Sequence, residues 1–184
     1  MRAFYHDNIG GDQFALHDSG RSVSEEELKA SGVLYWHIPV EEDREWEREI
    51  DDIAQRRDYK NRDVKESSRA ILGDDWEAGV KMVYEEHMHE DEEIRFVLEG
   101  SGFFDVREHP TDNWVRIHVS KGDLLVVPAG IYHRFSLDIN ERIKVMRLSK
   151  DEPKWIAHYR GSETEENPHR LDYLKTVQSV PVAV

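Results

Sequence analysis

Two histidines and a glutamate lie close together at a spacing that suits metal binding. His87 and His89 are separated by one residue, and Glu93 follows after a short acidic segment. In a strand, alternate residues point to the same side, so both imidazoles are expected to project together. A turn between His89 and Glu93 lets the carboxylate swing back toward them. Arg95 lies two residues after Glu93, so on a strand it has the same parity and points to the same side. We therefore expect it to face the same interior.

A third histidine, His133, follows a turn at Pro128 and Gly130 and begins a predicted strand. Imidazole and carboxylate ligands suit iron(II), nickel(II), manganese(II) or zinc(II). An octahedral ion with four protein ligands keeps two positions open, as a chelating substrate requires. The sequence therefore predicts one metal site, formed by His87, His89, Glu93 and His133.

The composition of the 184 residues disfavours several other classes of function. Cysteine is absent, which excludes disulfides, thiolate metal sites and a cysteine nucleophile. Thirty-nine acidic residues against 25 basic ones leave a net charge of −14, which disfavours nucleic acid and anionic membranes as partners. No stretch approaches the roughly 20 apolar residues of a membrane span, and no secretory signal is visible. These features predict a folded protein of the cytoplasm.

The remaining histidines are not predicted to bind metal. Two of them, His37 and His118, alternate within predicted strands. The others lie in polar surroundings and are expected at the surface; they are His6, His17, His109, His158 and His169.

The elements that must position the site fall into two unequal parts. Residues 1–80 are predicted to be mixed and partly helical. Ser24 and Glu27 form a capping-box pattern, and Gly32 supplies a stop, so a short helix is expected between them. A β-rich run covers 33–38. Apolar residues at helical spacing predict two further helices, over 41–57 and 63–72.

From about residue 80 to 159, short β runs alternate with turn signals, one of them at 100–102. Six or more strands at spacings of roughly 8–12 residues indicate a sandwich or small barrel. A single domain is expected, with a polar tail over 160–184 that is disordered in part. The predicted strands of this part cover 96–98, 103–106, 113–119, 124–127, 131–137, 142–148 and 155–157.

The ligand spacing also resembles a known two-part signature. His-x-His-x3-Glu leads to Gly100, and Gly122-x5-Pro-x-Gly-x2-His ends at His133, as in the cupin barrels. Glycine and proline mark the turns of that signature, in agreement with the predicted strand ends. The resemblance implies a mainly β, jelly-roll-like cupin barrel, here with helices in its N-terminal part. One departure is Leu137, where many cupins have asparagine.

Within the cupins, the chain resembles the acireductone dioxygenases of methionine salvage. The resemblance spans roughly residues 32–159 and is more specific than the cupin signature. Its segments are YEEHMHEDEEIR at 84–95, GSGFFDVR at 100–107, KGD at 121–123, PAGIYHRF at 128–135, GVLYW at 32–36 and MRL at 146–148.

This resemblance implies an activity and a cofactor. The substrates are 1,2-dihydroxy-3-keto-5-methylthiopentene and dioxygen. Iron(II) gives formate and 4-methylthio-2-oxobutanoate, whereas nickel(II) gives carbon monoxide, formate and 3-methylthiopropanoate. One ion per monomer is implied, held by the four predicted ligands. Histidine and glutamate accept both metals, so the sequence does not choose between them.

The resemblance also assigns roles around the ligands. Arg95 matches an arginine that favours the substrate dianion, and an always-charged guanidinium suits that task. Glu86 and Glu92 match acidic neighbours of the ligands. Phe135 has the parity of His133, and with Phe104 it is expected to form an apolar wall for the methylthio end.

Two alternatives remain open at this stage. Another metal-dependent cupin enzyme would share the ligands but differ in its pocket, although no cluster of Lys or Arg for a sugar phosphate is evident. A cupin that acts mainly in interaction or regulation would more often have a damaged ligand set, and here all four ligands are present. We expect a monomer in the cytoplasm. Some members of the family are described as having such roles, and the nucleus is among their locations, so it is a second expected location.

Overall fold

A computed structural model describes residues 1–41, 45–152 and 155–178. The described residues form strands, α-helices and one 3₁₀ turn at Gly73–Asp75. The strands are β1 (Arg2–His6), β2 (Asp18–Ser22), β3 (Leu34–His37), β4 (Asn61–Ser68), β5 (His87–Met88), β6 (Glu93–Arg107), β7 (Trp114–Ser120), β8 (Asp123–Val127), β9 (His133–Leu137), β10 (Arg142–Ser149) and β11 (His158–Tyr159). The helices are α1 (Glu25–Ala30), α2 (Trp46–Arg56), α3 (Arg69–Leu72), α4 (Trp76–Tyr84), α5 (Ser162–Glu165) and α6 (Pro168–Gln178).

One long strand, β6, belongs to both antiparallel sheets of the barrel. Its first part pairs with β8 and β10, and its second part pairs with β7 and β9. One sheet has the order β11-β5-β9-β6-β7-β1-β2, and the other has the order β4-β10-β6-β8-β3. Strands β1, β3 and β4 of the N-terminal part are therefore built into the barrel.

The predicted turn at 100–102 is wrong, because β6 runs through it. Gly100 has a φ of 74°, and a Cβ there would lie 2.1 Å from the carbonyl oxygen of Arg142. Only glycine adopts this conformation without strain and allows so close an approach. The glycine therefore lets the strand pass from one sheet to the other.

The predicted helix over 63–72 is also wrong, since most of it is the edge strand β4. All eight residues of β4 pair with β10, and the helix α3 is limited to Arg69–Leu72. Val64 suggested a helical stripe but is 51% exposed. Lys65 and Ser67, on the opposite face of the strand, line a cavity instead of a core. The usual apolar alternation of a strand is therefore missing from this segment.

Other expectations are met in part. Helix α1 has the predicted capping box between Ser24 and Glu27. Helix α2 lies within the predicted 41–57, of which residues 42–44 are outside the described part. The strand predicted at 155–157 is wrong, because β11 lies just after it. The tail contains α5 and α6, and its last residues, 179–184, are outside the described part.

Two hydrophobic clusters hold the barrel together. One fills the space between the sheets and includes Val97, and the other lies between α2 and the outer face of β6, where Ile50 is fully buried. Burial of such a side chain contributes about 1.5–3 kcal/mol. Ile94 and Phe96 belong to the outer cluster, so the alternate residues of β6 face the interior. Among the described residues, no helix is long and apolar enough to cross a membrane.

Candidate metal centre

The predicted ligands meet at one end of the barrel. His87 on β5 and His133 on β9 are direct partners across the two strands. Glu93 begins β6, and His89 lies in the segment that joins β5 to β6. The amide of Gly130 donates to the carbonyl of His89 at 3.0 Å, which ties the turn before His133 to the first ligand segment.

Backbone carbonyls fix the orientation of all three imidazoles. Each ring donates from Nδ1 to a carbonyl oxygen, and in a neutral imidazole this leaves Nε2 unprotonated. The lone pairs of the three Nε2 atoms are therefore available for a metal ion. The contacts are His87 to Glu85 at 2.6 Å, His89 to Ile156 at 2.8 Å and His133 to Ile131 at 3.1 Å.

The free ring nitrogens converge on the carboxylate of Glu93. Nε2 of His89 lies 3.1 Å from Oε2 of Glu93, and Nε2 of His133 lies 3.5 Å from the same oxygen. One ligand atom from each of His87, His89 and His133 lies within 4.8 Å of the others. Nε2 of His133 is buried and has no hydrogen-bond partner among the described residues. A buried nitrogen left without a partner fits a metal ligand.

The electrostatics favour the metal-binding protonation states of Glu93 and His87. Burial alone would raise the pKa of Glu93, but Arg95 and the imidazoles of His133 and His89 outweigh it and hold the pKa well below the usual range. Arg95 Nε lies 3.3 Å from Oε1 of Glu93. Burial, followed by the proximity of His133, lowers the pKa of His87 to about 4. The site therefore combines the Glu93 carboxylate with a neutral imidazole at His87. At His89, burial lowers the pKa, but the hydrogen bond and charge of Glu93 outweigh it and raise the pKa.

Arg95 lies where its strand parity predicted, beside the ligands and facing the cavity. Its guanidinium stacks on Trp155 at 4.9 Å, and Arg147 lies on the same indole at 5.0 Å. Arg147 is the register partner of Arg95 on the neighbouring strand. Both Trp155 and Arg147 line the cavity, although the sequence analysis assigned them no role. Arg147 reaches Arg95 through the pairing of β10 with β6, and Trp155 reaches both from the segment after β10. The local sequence pattern does not reveal these contacts.

Phe104 and Phe135 form part of the wall of this cavity, which has a volume of about 260 Å³. They are register partners on β6 and β9, and their ring centres are 5.0 Å apart. Phe104 is also a member of the inner core. A Cβ at Gly102 would lie 2.8 Å from the ring of Phe135, so this glycine makes room for the ring. The structure places both rings beside the ligands.

Glu86 and Glu92 form ion pairs with arginines. Glu86 accepts two 2.9 Å hydrogen bonds from Arg107 and one of 2.8 Å from Arg160. Glu92 accepts two hydrogen bonds from Arg57. These contacts anchor the residues that directly precede His87 and Glu93.

The tail supports the turn that leads to His133. Gly130 has a φ of 80°, and a Cβ there would lie 2.2 Å from the carbonyl oxygen of His169 on α6. Arg170 donates to the carbonyl of Gly130 at 3.1 Å. Tyr173 donates to the carbonyl of Ser31 at 3.2 Å, which fixes the same helix to the N-terminal part. A segment without a predicted role thus buttresses the site.

A second group of histidines lies near the N-terminus. The prediction that His6 is at the surface is wrong, since it is only 7% exposed. The rings of His6 and His17 stack 4.7 Å apart at 16°. Nδ1 of His17 donates to Oδ1 of Asp7 at 2.9 Å, and its Nε2 contacts the carbonyl of Asp12 at 2.9 Å. The nearly parallel rings do not direct their lone pairs at one point.

A barrel of two antiparallel sheets, with three imidazoles and a carboxylate at one end, defines a metal-binding cupin. The chain belongs to the ARD/ARD' family, whose model matches residues 2–157. The cupin fold is also that of a solved structure described as acireductone dioxygenase from Bacillus anthracis with cadmium ion in active center. The two share 20% identity at a TM-score of 0.68, over 86% of this chain and 97% of that one.

Curated relatives extend the similarity over almost the whole chain. Acireductone dioxygenase 1 of Coprinopsis cinerea is 55% identical over 96% of this chain and 98% of its own length. The acireductone dioxygenase of Sclerotinia sclerotiorum is 51% identical over 98% of each chain. That of Aspergillus fumigatus is 47% identical over 100% of each. The family, the fold and the dioxygenase class predicted from the sequence are confirmed.

Proposed function

We propose that this chain is a metal-dependent acireductone dioxygenase that acts on 1,2-dihydroxy-3-keto-5-methylthiopentene and dioxygen. The observation that carries the proposal is the convergence of His89, His133 and Arg95 on Glu93 at the wall of one cavity. The names of the similar proteins from three fungi support the same activity.

The residues at this site fit one divalent ion of iron or nickel. His87, His89, Glu93 and His133 would hold it, because imidazole and carboxylate suit both metals. When bound, such an ion would supply Lewis acidity and open positions for a chelating ene-diol. We propose formate and 4-methylthio-2-oxobutanoate as products with iron(II). With nickel(II), the products are carbon monoxide, formate and 3-methylthiopropanoate.

Arg95 would favour the anionic form of the substrate. Its guanidinium faces the cavity and is held in place by Glu93 and by the indole of Trp155. A fixed positive charge next to an ene-diol lowers the free energy of its anion, and it needs no reorganisation during the reaction. The forked donors of arginine also match the two neighbouring oxygens.

The aromatic wall would receive the side chain of the substrate. Phe104 and Phe135 present apolar rings beside the ligands, so a methylthio group in contact with them is removed from water. Exclusion of water from this part of the cavity also protects reactive species from hydrolysis.

We also propose that the enzyme works as a monomer in the cytoplasm, with the nucleus as a second location, and that nucleic acid is not a partner. The net charge of −14 supports the last point, because phosphate backbones repel such a chain.

Aerobic turnover of the synthetic acireductone tests the proposal. Metal-free protein is loaded with iron(II) or nickel(II), and the products are identified by NMR and gas analysis. We expect the substrate to be consumed in both forms, with carbon monoxide only in the nickel form. If the ions bind but neither form consumes the substrate, the proposed function is wrong.

The substitution Arg95→Ala tests the role of the guanidinium. We expect the metal content to be kept and kcat to fall by about 100- to 1000-fold, the usual effect of removing one preorganised charge-stabilising group. Arg62→Ala, which removes an exposed arginine of β4, is the matched control and should leave turnover unchanged. If Arg95→Ala retained wild-type turnover, Arg95 would have no role in the reaction.

A further inference from the structure

A second cavity adjoins the metal cavity beyond Phe135. Its volume is about 320 Å³, compared with about 260 Å³ for the cavity that contains the ligands. The two cavities share part of their lining and therefore lie side by side. The shared side chains are Lys65, Ser67, Met82, Val83 and Phe135.

The wall of the second cavity is largely apolar. Leu72, Val80 and Leu137 contribute hydrocarbon side chains. Gln13 and Asp75 also lie in the wall. The amide of Gln13 donates to the carbonyl of Val80 at 3.4 Å, and Asp75 is exposed to solvent. Lys65 of β4 also lines the cavity, where its methylene stem can cover apolar surface while the ammonium stays in water. This lining suits a hydrocarbon or thioether group.

Small residues of α4 leave the cavity open. Ala78 and Gly79 both line it. A Cβ added at Gly79 would meet only Leu72 at 3.4 Å, which is ordinary van der Waals contact. The helix therefore tolerates a side chain at this position, and a larger one would extend into the cavity.

Two of the side chains shared by the two cavities are able to adapt to a ligand or are only half-buried. Phe135 lines both cavities and lies two residues after the ligand His133. Met82 on α4 also lines both cavities and is 55% exposed, and a thioether side chain adapts readily to the shape of a neighbour. A substrate whose ene-diol is near the ligands can thus extend its side chain past these two residues.

We infer that the second cavity is a subsite for the distal part of the substrate side chain. This inference rests on the proposed function. It assigns the site to acireductones whose apolar alkyl or alkylthio chains are longer than methylthioethyl. Burial of each further methylene then improves kcat/KM about fourfold, until the cavity is filled.

A series of synthetic acireductones with one to four additional methylenes tests this subsite. We expect kcat/KM of the wild type to rise with chain length. Gly79→Leu fills the cavity and should abolish this rise, and Ala78→Leu is a second variant in case the first does not fold. Ala70→Leu is the matched control, because it adds the same bulk as Ala78→Leu but on the exposed surface of α3. This variant should retain the wild-type dependence of kcat/KM on chain length.

A binding measurement separates this inference from the proposed reaction. Alkyl hydroxamates chelate metal ions without being turned over. In calorimetry of the nickel-loaded protein, chelation is common to the whole series, so the dependence of affinity on chain length reports the subsite. We expect affinity to rise about fourfold per methylene in the wild type and not in Gly79→Leu. A flat or falling dependence in the wild type, or the same rise in Gly79→Leu, would overturn the subsite. Failure of the parent acireductone to react would instead count against the proposed function.

Discussion

The described part of the molecule holds two groups of histidine and carboxylate that differ in geometry. In the metal centre, each Nδ1 donates to a backbone carbonyl, and the opposite nitrogens converge on Glu93. Near the N-terminus, His6 and His17 stack face to face, and both ring nitrogens of His17 already have oxygen partners. Composition alone does not distinguish the two groups.

The difference teaches that orientation, rather than proximity, makes a ligand set. Adjacent strands β5 and β9 bring His87 and His133 side by side, and the carbonyls behind the rings turn both free nitrogens inward. Nδ1 of His6 accepts from the amide of Asn8 at 2.9 Å, and Arg134 lies 3.4 Å from its Nε2. A guanidinium in that place disfavours a second cation. We therefore regard the N-terminal group as structural.

The largest expected effect comes from removing one imidazole from each group. His133→Ala should lower metal affinity by more than about 1000-fold, because loss of a ligand exceeds the 10–100-fold effect of the groups behind ligands. His17→Ala should bind one ion per chain with unchanged affinity. Calorimetric titration with nickel(II) measures both. Equal losses in the two variants would contradict the distinction between the groups.

The second effect concerns the buried ion pairs beneath the N-terminal group. Asp105 accepts hydrogen bonds from Arg116 at 2.7 and 2.9 Å and from Arg134 at 2.8 Å. Asp105→Asn leaves these guanidiniums without their counter-charge and should lower the free energy of unfolding by about 3 kcal/mol. Urea unfolding measures the loss. Metal stoichiometry should stay at one, and a variant with normal stability would refute the assigned structural role.

The smallest effect is a dependence of stability on pH. Burial lowers the pKa of His6 from 6.5 to about 4, with Arg116, Arg134 and His17 opposing the nearby Asp105. The unfolded chain therefore takes up a proton first as the pH falls below 6.5. Between pH 6.5 and 4, the titration of His6 should therefore make the free energy of unfolding fall as the pH is lowered.

Comparison of His6→Gln with the wild type isolates this contribution. Thermal unfolding at several pH values should show a shallower decline for the variant, because glutamine does not titrate in this range. If both proteins decline in parallel, the titration of His6 does not contribute.

Much of the fold around the metal centre can be predicted, because the strand alternation and the turns that position the ligands are encoded in short stretches of sequence. The parity of His87 and His89, and of Glu93 and Arg95, follows from alternation in strands, and the apolar residues Ile94 and Phe96 take the opposite face. The turns at glycine and proline were also visible. Assignment of the four residues as ligands remains a prediction that the geometry supports.

The rest depends on contacts between distant segments. The edge strand β4 was mistaken for a helix because its inward face carries Lys65 and Ser67, which line a cavity and so lack the apolar pattern of a core strand. The contacts of Trp155 with two neighbouring arginines and the burial of His6 likewise follow from strand pairing. Single-sequence periodicity carries no information about such pairings.

X-ray absorption at the metal edge of the nickel-loaded, turnover-competent protein tests the central claim most directly. We predict a single ion with three imidazole ligands, which become two in His133→Ala. A spectrum with two imidazoles or fewer in the wild type, or one that is unchanged by His133→Ala, would contradict the assignment of this centre.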